Sequence, residues 1–378
     1  MNCPSYGAVE QGLCYPGFST GRAHNVTRLD TNGFNVSGGD TWGLSAAGVG
    51  DIDGDGVQDL VIGSSPDYSH GSVTLLFMSL HGTVKSTAVI SASEIPGAGA
   101  EGRFGSGVSG VGDVDGDGIP DLAVGAPGEG SSGALYLVFL NADGSIKQSN
   151  RFWSEGSAAV SDALGSGSSY FGCSVTAPGD IDGDGVADLA VGARLGGTGT
   201  VVILFMDSSA GIKSAKAIRG GAAGEIGDLH GGCQFGNSMT SIGDTNSDGT
   251  PDIAVGAWGC DDSTGSLFIL LLSPSGGVIT ATRLYGGTPE IGEEMGDFGS
   301  FGSSVAVLGD TDKDGAVDLM VGASGDGIAQ RGVLYVVRLL ATGNGIKGFE
   351  KLSARGTGLG QQPLITFDKV RLYGSAMP

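Results

Sequence analysis

Residues 51–59, Asp-Ile-Asp-Gly-Asp-Gly-Val-Gln-Asp, carry four carboxylates in nine positions, and the chain writes nearly the same arrangement four more times. The other copies are 113–121 (DVDGDGIPD), 180–188 (DIDGDGVAD), 244–252 (DTNSDGTPD) and 310–318 (DTDKDGAVD). Acids at positions 1, 3, 5 and 9 supply what a hard cation such as Ca2+ takes, roughly six to eight oxygens and nothing softer. A tight turn brings positions 1, 3 and 5 together, and glycine at position 6 lets the backbone reverse without a Cβ clash. Position 7 offers a carbonyl, and the ninth residue closes the site in bidentate fashion. The predicted ligands are Asp51, Asp53, Asp55, Val57 and Asp59, then Asp113, Asp115, Asp117, Ile119 and Asp121. They continue with Asp180, Asp182, Asp184, Val186 and Asp188, with Asp244, Asn246, Asp248, Thr250 and Asp252, and with Asp310, Asp312, Asp314, Ala316 and Asp318. About five calcium ions are expected. Asn246 keeps an oxygen but drops a charge, so the fourth loop is expected to bind most weakly. Without metal the loops should be loose, because clustered carboxylates repel and raise one another's pKa.

Other chemistries find less support. An EF-hand needs Glu at position 12, where the chain has Ile62, Val124, Val191, Val255 and Val321. The four histidines, His24, His70, His81 and His230, are too scattered for a zinc site. No nucleophile elbow or phosphate loop is present, and the glycine-rich segments punctuate strands instead. A pair of acids drawn from different repeats for glycoside chemistry stays open.

The first aspartates stand at 51, 113, 180, 244 and 310, so the loops belong to a repeat of 62 to 67 residues. Nine residues before each lies an aromatic followed by glycine: Trp42, Phe104, Phe171, Phe235 and Phe301. After each loop comes a short apolar run into glycine, at Gly63, Gly125, Gly192, Gly256 and Gly322. A third, nearly all apolar run follows (SVTLLFM, ALYLVFL, TVVILFM, SLFILLL, VLYVVRL), then a weaker fourth segment. Four short strands per unit, with no helical periodicity long enough to compete, predict an all-β fold: a β-propeller of four-stranded blades. The apolar third strands suit packing on both faces, and the aromatic ring suits a wedge between blades.

The expected division is one propeller over 1–378, with blades at 38–99, 100–166, 167–230, 231–296 and 297–355. The remaining 1–37 and 356–378 together nearly equal one repeat. They are read as a sixth, composite blade whose inner strand, with Phe367, comes from the C-terminal stretch, five blades with loose tails being the alternative.

Residues 104–127, from Phe-Gly through GDVDGDGIPDLAVGAP, resemble the FG-GAP repeat of the integrin α-subunit β-propeller. The resemblance covers about 320 of the 378 residues and is sharpest in the second and third repeats. Departures are Trp42 in place of Phe, Ser64-Ser65-Pro66 in place of Ala-Pro, Asn246 and Ser247 in the fourth loop, and Lys313 in the fifth. The resemblance implies calcium in the loops on one face of the disc and partner contacts on the other. Integrin propellers have seven blades, more than this chain allows.

Composition sets further bounds. The 74 glycines exceed the usual share more than twofold without a collagen period, which favours turn-rich β structure. Of 41 acids, 19 lie in the five loops, so the formal charge of -22 belongs mostly to the sites. No basic patch offers itself to nucleic acid, and the apolar runs are far too short for a membrane helix. No secretory leader is visible after Met1, so one has been removed or the chain is a fragment. Cys233 and Cys260 flank the first two strands of the fourth repeat and are expected to form a disulfide away from its metal loop. Cys3 with Cys14 would close a short loop, and Cys173 is expected to be a buried thiol. Asn25 and Asn35 head N-glycosylation sequons. With calcium loops and paired cysteines these favour an extracellular, secreted or cell-surface protein.

The connections between second and third strands carry Asp67, Tyr68, His70, Arg194, Trp258, Asp261, Asp262, Gln330 and Arg331 on the face opposite the metal loops. Trp258 there suits a protein or sugar partner, or equally a wedge between blades. The leading functional reading is a non-enzymatic adhesion or assembly module with a protein or glycan partner. A carbohydrate-binding lectin comes next, and a polysaccharide lyase or hydrolase last.

Overall fold

The computed structural model describes residues 42–65, 70–153, 156–165, 169–194, 197–220, 225–227, 229–286, 288, 299–327 and 332–352. These residues form five four-stranded antiparallel sheets in a ring, a five-bladed β-propeller. Blade 1 holds β1 (Trp42–Gly50), β2 (Asp59–Ser64), β3 (Ser72–Met78) and β4 (Val84–Ser91). Blade 2 holds β5 (Gly107–Gly112), β6 (Asp121–Ala126), β7 (Ala134–Leu140) and β8 (Ile146–Trp153). Blade 3 holds β9 (Phe171–Gly179), β10 (Asp188–Ala193), β11 (Thr200–Met206) and β12 (Ile212–Arg219). Blade 4 holds β13 (Ser238–Gly243), β14 (Asp252–Ala257), β15 (Ser266–Leu272) and β16 (Val278–Tyr285). Blade 5 holds β17 (Phe301–Gly309), β18 (Asp318–Ala323), β19 (Val333–Leu339) and β20 (Ile346–Leu352). The third strands fall on the predicted apolar runs. The stretches assigned to a sixth blade, and with them Cys3, Cys14, Asn25 and Asn35, lie outside the described residues.

Burial explains the strand composition. Every residue of β3, β7 and β15 is buried, as are those of β6, β10, β14 and β18, because a middle strand is covered on both faces by neighbouring blades. The fourth strands form the outer edge and alternate with solvent, β8 exposing Lys147 and Gln148 while burying Phe152. The apolar core accordingly lies between blades. Val61, Val73 and Leu75 of blade 1 pack with Leu122, Tyr136 and Val138 of blade 2. Equivalent clusters join blades 2 and 3, 3 and 4, and 4 and 5.

The aromatic-glycine signature is the joint between blades. Phe104, Phe171, Phe235 and Phe301 are at most 1 % exposed. Each bridges the backbone of the preceding blade, at Gly71, Gly133, Gly199 and Gly265 respectively. Within their own blades Phe104, Phe235 and Phe301 meet Tyr136, Phe268 and Tyr335 edge-on at 5.3–5.6 Å between centroids. Side-chain hydrogen bonds reinforce the joint: the hydroxyls of Ser45, Ser174 and Ser238 donate to the carbonyls of Gly105, Gly236 and Gly302 in the next blade.

Helical segments among the described residues are few and short, and the longest is seven residues. α1 (Ala158–Leu164) sits between blades 2 and 3, started by Ser157, whose hydroxyl accepts from the Val160 amide. Seven residues give too few turns for periodicity to stand out, although Ser157 before the run and Gly165 after it are start and stop signals. No helix among the described residues is long and apolar enough to cross a membrane.

Candidate metal centres

The ninth residue of each loop is the first residue of a middle strand. Asp59, Asp121, Asp188, Asp252 and Asp318 are all 0 % exposed. One oxygen accepts from the amide of position 2: Ile52, Val114, Ile181, Thr245 and Thr311, at 2.8–3.0 Å. In blades 1 to 4 the other accepts from the end of the third strand, from Met78, Leu140, Met206 and Leu272, at 2.8–3.1 Å. This carboxylate staples the loop to a strand 18–20 residues further on. Burial pushes all five up from the usual carboxylate range, Asp121 to about 6. Neighbouring carboxylates raise them further, as expected of the cluster, but less than burial does.

The turn is built by the other acids. Position 1 accepts the position 5 amide on one oxygen, at 3.0–3.1 Å, and the position 6 glycine amide on the other, at 2.7–2.9 Å. Position 5 accepts the position 7 amide at 2.9 Å in every loop. Glycine at position 6 is a matter of conformation: φ is +86 to +92° there and a Cβ would meet nothing within 4 Å.

With the turn so folded, carboxylate oxygens of positions 1, 3 and 9 lie within 4.8 Å of one another in loops 1, 2, 3 and 5. In the fourth loop position 3 is Asn246. Asp182 Oδ1 and Asp318 Oδ1 are buried with no hydrogen-bond partner. An all-oxygen cluster with orphaned buried lone pairs fits a hard divalent cation.

Position 5 is turned to a partner that motif reading did not identify. Lys147 Nζ lies 2.7 Å from Asp115 and 2.6 Å from Asp117, and Lys213 Nζ 2.5 Å from Asp182 and 2.6 Å from Asp184. Lys347 bridges Asp312 and Asp314 at 2.7 and 2.9 Å, and Lys85 bridges Asp53 and Asp55. These ammonium groups hold Asp55, Asp117, Asp184 and Asp314 below the usual carboxylate range. Each of these four loops therefore holds a cation of its own among its carboxylates. Each lysine is the second residue of its fourth strand, a periodicity present in the sequence.

On the opposite face, Cys233 and Cys260 form the expected disulfide in blade 4, with Cα atoms 4.0 Å apart. It precedes Asp261, Asp262 and Ser263, three successive non-glycine residues at φ +51 to +70°. Asp261 pairs with Arg283 at 2.5 Å, and Trp258 is half-buried. Arg194 lies 5.5 Å over the Tyr170 ring. His70 is exposed, while Asp67, Tyr68, Gln330 and Arg331 lie outside the described residues. Cys173 is buried, its thiol donating to the Gly236 carbonyl at 3.5 Å. The axial channel, about 60 Å³, is lined by the inner strands with Ser45, Ser174, Thr176, Ser238 and Thr240, and among the described residues no ionisable side chain lines it.

The FG-GAP repeat family matches residues 43–76, 104–138 and 174–204, so the chain carries FG-GAP repeats. It is 34% identical over 177 residues to integrin alpha-PS2 of Drosophila melanogaster, covering 43% of this chain and 12% of that protein. It is 33% identical over 203 residues to integrin alpha-3 of Cricetulus griseus, covering 52% and 18%. Against integrin alpha pat-2 of Caenorhabditis elegans it is 29% identical over 265 residues, covering 64% and 19%. The chain thus spans no more than about a fifth of the length of these curated relatives.

Proposed function

We propose that this FG-GAP repeat protein is a non-enzymatic extracellular interaction module, a propeller fastened by calcium on one face and reading a protein partner with the loops of the other. The observation that carries it is the ninth aspartate of each loop, buried and hydrogen-bonded to the end of the third strand in four blades. An ion held there is wired into the blade. The carboxylates of positions 1, 3, 5 and 9 and the carbonyl of position 7 would hold it. Calcium would supply the positive charge that satisfies the buried Asp182 and Asp318 oxygens. A disulfide on the opposite face suits an oxidising compartment. The loops there differ from blade to blade, which suits one asymmetric partner better than five equal sugar sites. A lyase would need basic groups in a central cleft, and none is among the described residues that line the axial channel.

The test has two arms. Calcium titration of the metal-stripped chain should raise the melting temperature, as expected for an ion bound by the folded state alone. Capture from an extracellular surface fraction should be lost in Trp258→Ala while that calcium response is kept. An unchanged melting temperature with calcium would refute the metal reading. Capture that a free monosaccharide abolishes would favour a lectin.

A further inference from the structure

The fourth loop departs from the other four at two places, and the departures cancel. Loops 1, 2, 3 and 5 have Asp at position 3 and a lysine at the second residue of the fourth strand. The fourth has Asn246 and, in the lysine's place, Ile279, an apolar side chain that is 58% exposed. In loops 1 to 3 four carboxylates and one ammonium leave three negative charges; in the fourth, three carboxylates and no ammonium also leave three, while the fifth carries a further cation, Lys313, at position 4. The donor is replaced along with the charge. Asn246 Nδ2 donates to Asp248 Oδ2 at 2.8 Å, linking positions 3 and 5 as the lysines do elsewhere.

The lysine also divides the work of the two oxygens of position 3. Asp182 gives Oδ2 to Lys213 at 2.5 Å, while its Oδ1 is buried without a partner beside Asp180 and Asp188. The ammonium occupies the outer oxygens and leaves the inner ones for an ion.

We propose that Lys85, Lys147, Lys213 and Lys347 are charge-setting, positioning residues of the metal loops, and that Ile279 is their deliberate absence. They join the carboxylates of positions 3 and 5 before any ion arrives and temper the affinity of loops 1 to 3 to that of the fourth. The first four sites then fill over one narrow range of divalent cation, and the fourth loop is not the weak one. This rests on the reading that the loops take a divalent cation.

Native mass spectrometry of the full metal-stripped chain, titrated with calcium at low ionic strength, counts ions per molecule. Ile279→Lys should shift one site to about tenfold higher calcium, the effect of a unit charge a few ångströms from a divalent ion. Asn246→Asp should shift it the other way, and the double variant should return to within about twofold of the parent. Lys213→Met should fill one site at about tenfold lower calcium while melting earlier when metal-free, and Lys213→Arg should restore both. A purely structural lysine would not tighten calcium on removal. The proposal is overturned if Lys213→Met weakens calcium or leaves it unchanged, or if the double variant matches Ile279→Lys. A parent chain that takes up no calcium refutes the metal reading itself, and this inference with it.

Discussion

A Cβ on Gly125 would lie 1.9 Å from the carbonyl oxygen of Gly172, the glycine that follows Phe171 in the next blade. The same near-contact recurs at 2.0 Å from Gly63 to Gly105, from Gly192 to Gly236 and from Gly256 to Gly302. The two ends of the repeat signature are thus halves of one joint between successive blades. Neither half can carry a side chain, because the opposing atom is backbone and fixed by its own sheet.

Gly125→Ala is therefore expected to destabilise the propeller by more than about 4 kcal/mol, by forcing blades 2 and 3 apart. Gly348→Ala is the control: a Cβ there meets nothing within 4 Å and φ is not in the left-handed region. That variant should be neutral or slightly stabilising. Denaturant melts of both decide the matter, and equal stability would show that the joint yields.

Much of this was legible in the sequence because it is local and repeated. The five loops, the four strands of each blade and the Cys233–Cys260 pairing follow from spacing alone, since a hairpin places residues just before one strand and just after the next at one end. What was not legible depends on pairing across a blade. The lysine clamp joins residues 29–35 apart that meet only when the fourth strand returns beside the loop. The staple from Asp188 to the Met206 amide involves a backbone group, which leaves no mark in composition.

That staple separates two roles within one loop. Asp188→Ala leaves the buried amides of Ile181 and Met206 without their acceptor, which should cost about 2–4 kcal/mol with or without calcium. Asp182→Ala removes an oxygen that has no partner and one contact to Lys213, which keeps Asp184. Its cost should appear almost wholly in calcium, with the metal-stripped protein within about 1 kcal/mol of the parent. Melts of both variants with and without the ion test this, and an equal loss for the two in the stripped state would contradict it.

The disulfide should act independently of the metal. Cys233 and Cys260 lie 27 residues apart in sequence, at the end of blade 4 away from Asp252. Replacing both with serine should cost about 3 kcal/mol, the chain-entropy value for a loop of that size. Calcium affinity of the fourth loop should not move. Reduced protein should exchange its amides faster around 258–265 than in other blades, and uniform exchange would place the stabilisation elsewhere.

Acidity should act in opposite directions on the metal-stripped and the calcium-loaded protein. Asp121 is held up to about 6 in the folded chain, against roughly 4 when unfolded, chiefly by burial. The folded state therefore binds this proton more tightly, and acidification from pH 7 towards 4 favours folding of the stripped protein. Asp59, Asp188, Asp252 and Asp318 are raised for the same cause and add in the same direction. The opposing groups, Asp55, Asp117, Asp184 and Asp314, are lowered by their lysines, so the stability they contribute is lost only below about pH 4. In calcium the same buried aspartates must stay ionised, so protons compete with the ion and the loaded protein weakens over the same range. Melting temperatures of the two forms should converge between pH 7 and pH 5, the stripped form rising and the loaded form falling. Parallel curves would mean that the buried aspartates are not the residues through which the ion stabilises the fold.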